Sequence, residues 1–141
     1  MRLRDLDAKR VVIWGGGREA RSVVDACRRS GVRAEIVIVD DHAAQVGTLD
    51  GIAVRAPDTR TIAKADVVVR SPGVSKYRLS LRDAKVVTTA TNLWFAEPHA
   101  PVIAVTGTKG KSTTSSLIAH LLQGLGTNAG LAGNIGRSPL D

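Results

Sequence analysis

The chain has 141 residues, 43% of them hydrophobic and 23% charged, a balance that supports a buried core and about one soluble domain. Its net charge of +7 is mostly scattered arginine: residues 1–100 carry 17 Lys+Arg against 12 Asp+Glu, and residues 101–141 carry 3 against 1. With aromatics at 3% and no basic block, a nucleic-acid platform is not expected, and the excess reads as a solvated surface able to attract an anionic small molecule. Cys27 is the single cysteine, which excludes an internal disulfide and a thiolate metal cluster and reads as a small buried residue on a helix. The charged start, MRLRDLDAKR, has no apolar signal core, and no apolar run reaches the roughly 18–20 residues of a membrane span. The expected location is the cytoplasm.

Strands and helices alternate along the chain. RVVIW at 10–14 predicts a buried strand ended by Gly15, Gly16 and Gly17, and 18–30 predicts a helix with Ala20, Val23, Val24 and Cys27 on one face and Gly31 as its stop. AEIVIV at 34–39 is a second strand, ended by Asp40 and Asp41, and a weaker strand covers Ile52–Val54. Asp58 can cap a short helix through Lys64. DVVVR at 66–70 is a strand closed by Ser71, Pro72 and Gly73; helical turns follow at 78–84, a strand at 85–89 and an amphipathic helix at 91–97. Past Pro98 and Pro101, residues 102–106 predict a buried strand, 107–110 a loop, and Lys111–Gln123 a helix with Leu117, Ile118, Leu121 and Leu122 on its apolar face. TNAGLAGNIG then begins a further strand and a second glycine-rich loop. Such alternation predicts an α/β fold with parallel strands covered on both faces. It is expected as a Rossmann-like domain over 1–98, followed over 99–141 by the first strand, P-loop and helix of a second α/β domain left incomplete in this chain.

GGGREA at 15–20 obeys G-x-G-x-x-A, with Gly15, Gly17 and Ala20 in register, between a strand and a helix. Glycines there allow a tight turn and close approach of an anion to a helix N-terminus. Asp40 stands where a ribose-binding acid would sit, so a dinucleotide such as NAD, another phosphate-bearing ligand, and a plain tight turn all remain open on this motif. Trp14 reads as a packed aromatic rather than a cleft-lining one. Asp40 and Asp41 read as loop acceptors rather than a catalytic acid pair, and His99 and His120 lie too far apart to suggest a metal pair.

VTGTKGKSTT at 105–114 is more specific. The strict G-x-x-x-x-G-K-[ST] pattern fails, because Val105 stands five residues before Gly110. The physical content survives. Gly107 and Gly110 let backbone N–H groups turn toward an anion, Lys111 can reach outer phosphates, and the Ser112 hydroxyl suits Mg2+. A phosphate loop behind a complete small α/β unit is not the arrangement of an NAD dehydrogenase.

Taken in order, APVIAVTGTKGKSTT, AGLAGNIG at 129–136 and VVRSPGV at 68–74 resemble the N-terminal part of a Mur ligase, the ATP-dependent amide-forming family of peptidoglycan precursor synthesis, and the S-P-G turn resembles its glutamate-adding member. The resemblance covers nearly the whole chain but not a whole enzyme of that family. It implies that Gly107, Thr108, Lys109, Gly110, Lys111, Ser112 and Thr113 cradle ATP, with Lys111 as the catalytic cation and Ser112 on Mg2+. It implies that Gly15, Gly16, Gly17 and Arg18 approach a UDP diphosphate, that Asp40, Asp41 and His42 lie where the uracil is held, that Ser71, Pro72 and Gly73 border the same substrate, and that Asn134 touches its diphosphate or sugar. The implied substrates are UDP-N-acetylmuramoyl-L-alanine and glutamate, joined through an acyl phosphate by an enzyme expected to be monomeric; a chain that stops here is expected to be inactive alone.

Three departures stand out. Lys109 replaces the family's usual Asn, Asn92–Leu93–Trp94–Phe95 lacks the usual acid before Leu-Phe, and His42 replaces a basic or hydroxyl pattern. They fit a divergent subgroup such as one adding L-glutamate. The alternatives are a folylpolyglutamate-type or other muramyl ligase, and a non-enzymatic dinucleotide-binding module for which 102–141 would be dispensable.

Overall fold

Residues 1–135 and 137–141 are described by a computed structural model, without the side chain of Leu79. They divide into two compact units, Met1–Pro98 with Leu140–Asp141, and His99–Pro139. The first unit begins with a 3-10 turn at Leu3–Leu6 and continues through β1 Arg10–Trp14, α1 Arg18–Arg29, β2 Glu35–Val39, α2 Ala43–Val46, β3 Thr48–Leu49, β4 Ile52–Arg55, α3 Thr59–Lys64 and β5 Val67–Arg70. A second 3-10 turn at Leu79–Asp83, β6 Val87–Thr88 and α4 Ala90–Phe95 complete it. The second unit contains α5, Lys111–Gly124.

Alternation along β1 sets the layers. Val11 and Ile13 point to one face of the sheet, where they pack with Val23, Val24 and Cys27 of α1, Leu93 of α4, and Leu3 and Leu6. Val12 and Trp14 point to the other face, against Ile62 of α3, Val74 and Leu81. β5 repeats the division, with Val67 and Val69 on the first face and Val68 on the second. Strands buried on both sides explain the unbroken β-branched runs.

The strand order is β3-β4-β2-β1-β5-β6, with every pairing parallel except β3 with β4. The fold is thus α/β and Rossmann-like, with an antiparallel hairpin at one edge. That hairpin was not expected from the sequence, which indicated only a strand near Ile52. Its turn, Asp50–Gly51, has φ of 51° and 82°, the two positive values of a tight I′-type connection.

Local chemistry fixes the ends. Asp58 accepts the Thr61 N–H at 2.8 Å at the start of α3, and Thr89 accepts the Asn92 N–H at 3.1 Å at the start of α4. Gly31, at φ 67°, ends α1: its N–H donates to Arg28 O at 3.2 Å and that of Val32 to Cys27 O at 2.9 Å, a Schellman closure. The strand expected over 85–89 is reduced to Val87–Thr88.

In the second unit the strand expected over 102–106 has no ladder among the described residues, and Val102 and Ile103 are 44% and 61% exposed. A strand needs a neighbour to take its N–H and C=O groups, and the described residues of His99–Pro139 provide none there. The further strand expected after Thr127 is limited to a single bridge between Ala132 and Arg137. Helix α5 forms as the periodicity predicts, with no fully buried residue.

Candidate functional site

The parallel register brings three sequence-distant turns to one end of the sheet. Trp14 is aligned with Val39 on one side and with Arg70 on the other. The residues that follow, Gly15, Asp40 and Ser71, therefore leave the carboxyl ends of three adjacent strands together. The chain fans out in opposite directions from β1, and in open α/β sheets ligands bind in the crevice at such a reversal.

Each turn is tied to its neighbour. The Gly15 N–H donates to Val39 O at 2.8 Å, and the Ser71 N–H to Trp14 O at 2.9 Å. Asp40 closes the first gap, accepting the Gly16 N–H on Oδ2 at 2.6 Å and the His42 N–H on Oδ1 at 2.7 Å. Burial pushes the Asp40 carboxyl up, but these two hydrogen bonds and the charge of His42 together hold it below its ordinary value. Gly15 adopts φ 112°, and a Cβ there would meet Ser71 Oγ at 2.5 Å; Gly17 has open space around it and caps α1, with Arg18 exposed beside it. The glycine turn thus leads into the N-terminus of a twelve-residue helix, whose positive dipole end suits an anion.

The Ser71–Pro72–Gly73 turn is braced from within. The Val74 N–H donates to Ser71 O at 3.0 Å, and Arg70 Nη1 donates to Ser71 O at 3.2 Å and to Val74 O. The charge of Arg70 is also felt by Glu19 in the first turn of α1, whose carboxyl burial pushes up and Arg70 pulls back.

Two features of this end were not read from the sequence. Arg78 reaches back to the loop after β2 and donates from Nη1 to Asp41 Oδ1 at 2.9 Å and from Nη2 to Asp41 Oδ2. Its guanidinium lies over the Trp14 ring, 5.0 Å from the centroid. Partners 37 residues apart leave no local signal. Trp14 itself is 1% exposed, a packed residue, with its buried Nε1 lacking a hydrogen-bond partner. Asp40 and Asp41 act as loop acceptors, each engaged with a different partner.

The second unit carries the other candidate site. Gly107 and Gly110 have φ of 145° and 75°, and Gly110 caps the fourteen-residue α5. Lys111 Nζ donates to Gly107 O at 2.5 Å and to Thr108 O at 3.5 Å, so the ammonium is folded onto the loop. The first turn of α5 has no acid, and Lys109, Ser112 and Thr113 are exposed around it. These donors fit an anionic phosphate chain, and the Ser112 hydroxyl is open to a cation carried with it. Asn134 is exposed next to the Ala132–Arg137 bridge; Gly136, the last residue of AGLAGNIG, lies outside the described residues. Among the described residues no helix is long and apolar enough to cross a membrane.

No family model matches the chain. Compared with curated proteins, it is 44% identical over 153 residues to the UDP-N-acetylmuramoyl-L-alanine--L-glutamate ligase of Salinispora tropica, and 42% identical over 153 residues to the ligase of the same name in a Micromonospora species. The one in Xanthomonas euvesicatoria pv. vesicatoria is 40% identical over 157 residues. The similarity to these ligases runs along the whole chain. The match takes in 100% of this chain but 33–34% of each relative, so the chain spans about a third of the length of these curated relatives. Both glycine turns and the Ser71–Gly73 turn fall within the matched stretch.

Proposed function

We propose that this chain contributes the nucleotide-sugar-binding unit and the ATP phosphate loop of a cytoplasmic ligase that joins L-glutamate to UDP-N-acetylmuramoyl-L-alanine in peptidoglycan precursor synthesis. The observation that carries this reading is the 44% identity across the whole chain to a ligase bearing that name. The choice of L- over D-glutamate rests on the same names.

In this reading the turn of Gly15, Gly16 and Gly17, with Arg18, lets the diphosphate of the substrate approach the N-terminus of α1, while the Gly15 and Gly16 N–H groups stay engaged within the turn. Asp40, Asp41 and His42 frame its uridine side, Ser71, Pro72 and Gly73 border it, and Asn134 contacts its diphosphate or sugar. Gly107–Thr113 hold ATP. Lys111, already directed at the loop carbonyls, turns its charge to the outer phosphates as ATP enters and stabilises the charge of the transferring phosphoryl group. Ser112 would hold Mg2+, which when bound neutralises charge on the phosphates. The phosphoryl group passes to the substrate carboxylate, giving an acyl phosphate and ADP; the glutamate amine then attacks the acyl carbon and phosphate leaves, forming the amide.

Calorimetric titration of the 141-residue chain tests the binding steps. UDP-N-acetylmuramoyl-L-alanine is expected to bind, and Lys111→Ala to weaken ATP while leaving the UDP-sugar unaffected. Binding of NAD with no heat from the UDP-sugar would overturn the reading in favour of a dinucleotide module.

A further inference from the structure

We propose that Arg78 is a binding residue for the nucleobase, and that with Asp41 it forms a flat plate, backed by Trp14, on which the base stacks. The inference rests on the nucleotide-sugar reading of the first unit and adds to it a residue that no sequence motif marks.

Two parallel hydrogen bonds from one guanidinium to one carboxylate hold both groups in a common plane. Trp14 lies under the guanidinium and is buried, so one side of the plate is occupied by an indole. The pair is not covered over: 40% of the Arg78 side chain and 36% of that of Asp41 remain accessible, which leaves surface for a planar ligand. A planar cation with a free face is a stacking surface for a base, as arginine planes are in RNA recognition. Trp14 Nε1 has no hydrogen-bond partner, so the indole contributes its ring face and not a polar anchor.

Position supports the assignment. Asp41 follows Asp40, and Asp40 holds the Gly16 N–H of the glycine turn. The plate is therefore one peptide away from the group that fixes the anion-binding turn, on the same end of the sheet. A nucleotide with its phosphates at Gly15–Gly17 would have its base on this side. Arg78 also joins the loop after β2 to the segment after the Ser71–Gly73 turn, so the plate is set by both loops that border the candidate site.

The test compares uridine diphosphate with inorganic pyrophosphate, which lacks the base, by titration calorimetry on the full 141-residue chain. Arg78→Ala and Arg78→Lys are each expected to weaken uridine diphosphate by about tenfold, since Lys keeps the charge and loses the plane, with pyrophosphate unchanged. Asp41→Asn, which leaves Arg78 in place but releases it from the plane, is expected to give the same base-selective loss. Equal weakening of both ligands would assign Arg78 a purely structural role and overturn the proposal, as would unchanged affinity for uridine diphosphate in the variants. Failure of the unsubstituted chain to bind uridine diphosphate would overturn the nucleotide-sugar reading itself, and the plate with it.

Discussion

Gly15 and Ser71 leave neighbouring strands so closely that a Cβ on Gly15 would stand 2.5 Å from Ser71 Oγ and 2.7 Å from Ser71 Cβ. Gly15 also holds φ 112°, which an L side chain rarely adopts. Gly15→Ala therefore combines backbone strain with a clash against a rigid turn, and a loss of about 3 kcal/mol in unfolding free energy is expected from denaturant titration. Gly17→Ala has open space and an extended φ of -93°, so its expected loss is smaller, up to about 1 kcal/mol, and comes from alanine being the poorer N-cap of α1. The pair separates a glycine needed for the fold from one whose neighbourhood is free for a ligand.

Asp40 joins the glycine turn to the loop after β2 with one oxygen on each. Asp40→Asn keeps the shape but leaves one acceptor where there were two, and a loss of about 1 kcal/mol at neutral pH is expected, at the low end because the site is partly solvated. The carboxyl is held below its ordinary value in the folded chain. Its stabilisation is thus fully present above the unfolded value, near 3.9 for an aspartate, and fades as pH falls through the lower folded value. Denaturation midpoints of the two proteins should differ at about pH 7 and converge as pH drops below about 4.

Helix α5 has its apolar residues at helical spacing, yet Leu117 and Leu121 are each 56% exposed and none of its residues is fully buried. A fourteen-residue helix whose apolar residues are at most half-buried is marginal in water. Hydrogen exchange on the chain is expected to show the amides of Leu117–Leu122 exchanging orders of magnitude faster than those of Val11–Ile13, which lie in a central strand with buried side chains. Equal protection would show that α5 is far better stabilised than its exposure implies.

What the sequence shows and what it conceals divides along physical lines. β1, β2 and β5 were legible because strands buried on both faces read as continuous β-branched runs, and α1 because its apolar stripe ends at Gly31. The Asp58 cap was legible from one residue. The β3–β4 hairpin was missed although Asp50–Gly51 is a strong turn signal, because Thr48–Leu49 is too short to show alternation. The strand expected at 102–106 failed for the opposite reason: its composition is right, but a ladder needs a partner. At the candidate site, glycine spacing located the turns, while the register that gathers Gly15, Asp40 and Ser71 and the bidentate Arg78–Asp41 pair are properties of the fold. No pattern within a short window encodes them.

Cys27 faces the core from α1 and is 2% exposed, and burial pushes its thiol up to about 11 from an ordinary 9.0. At about pH 8 the folded thiol should therefore be about a thousandth ionised, and iodoacetamide should modify it only through opening of the first unit. The same burial gives an alkaline signature with a definite sign. A group whose value is raised on folding stabilises the protein fully below its unfolded value and loses that contribution as pH rises through the folded one. Between about pH 9 and 11 the chain should lose about 2–3 kcal/mol from this source, since each tenfold change in the ionisation equilibrium is worth about 1.36 kcal/mol. Cys27→Ala removes the thiol with a small loss of volume. Its stability is expected to be slightly lower than that of the unsubstituted chain at about pH 7 and equal or higher at about pH 11. A parallel decline of both proteins across that range would place the alkaline sensitivity on other groups, and rapid alkylation at about pH 8 without unfolding would show that Cys27 is not enclosed as described.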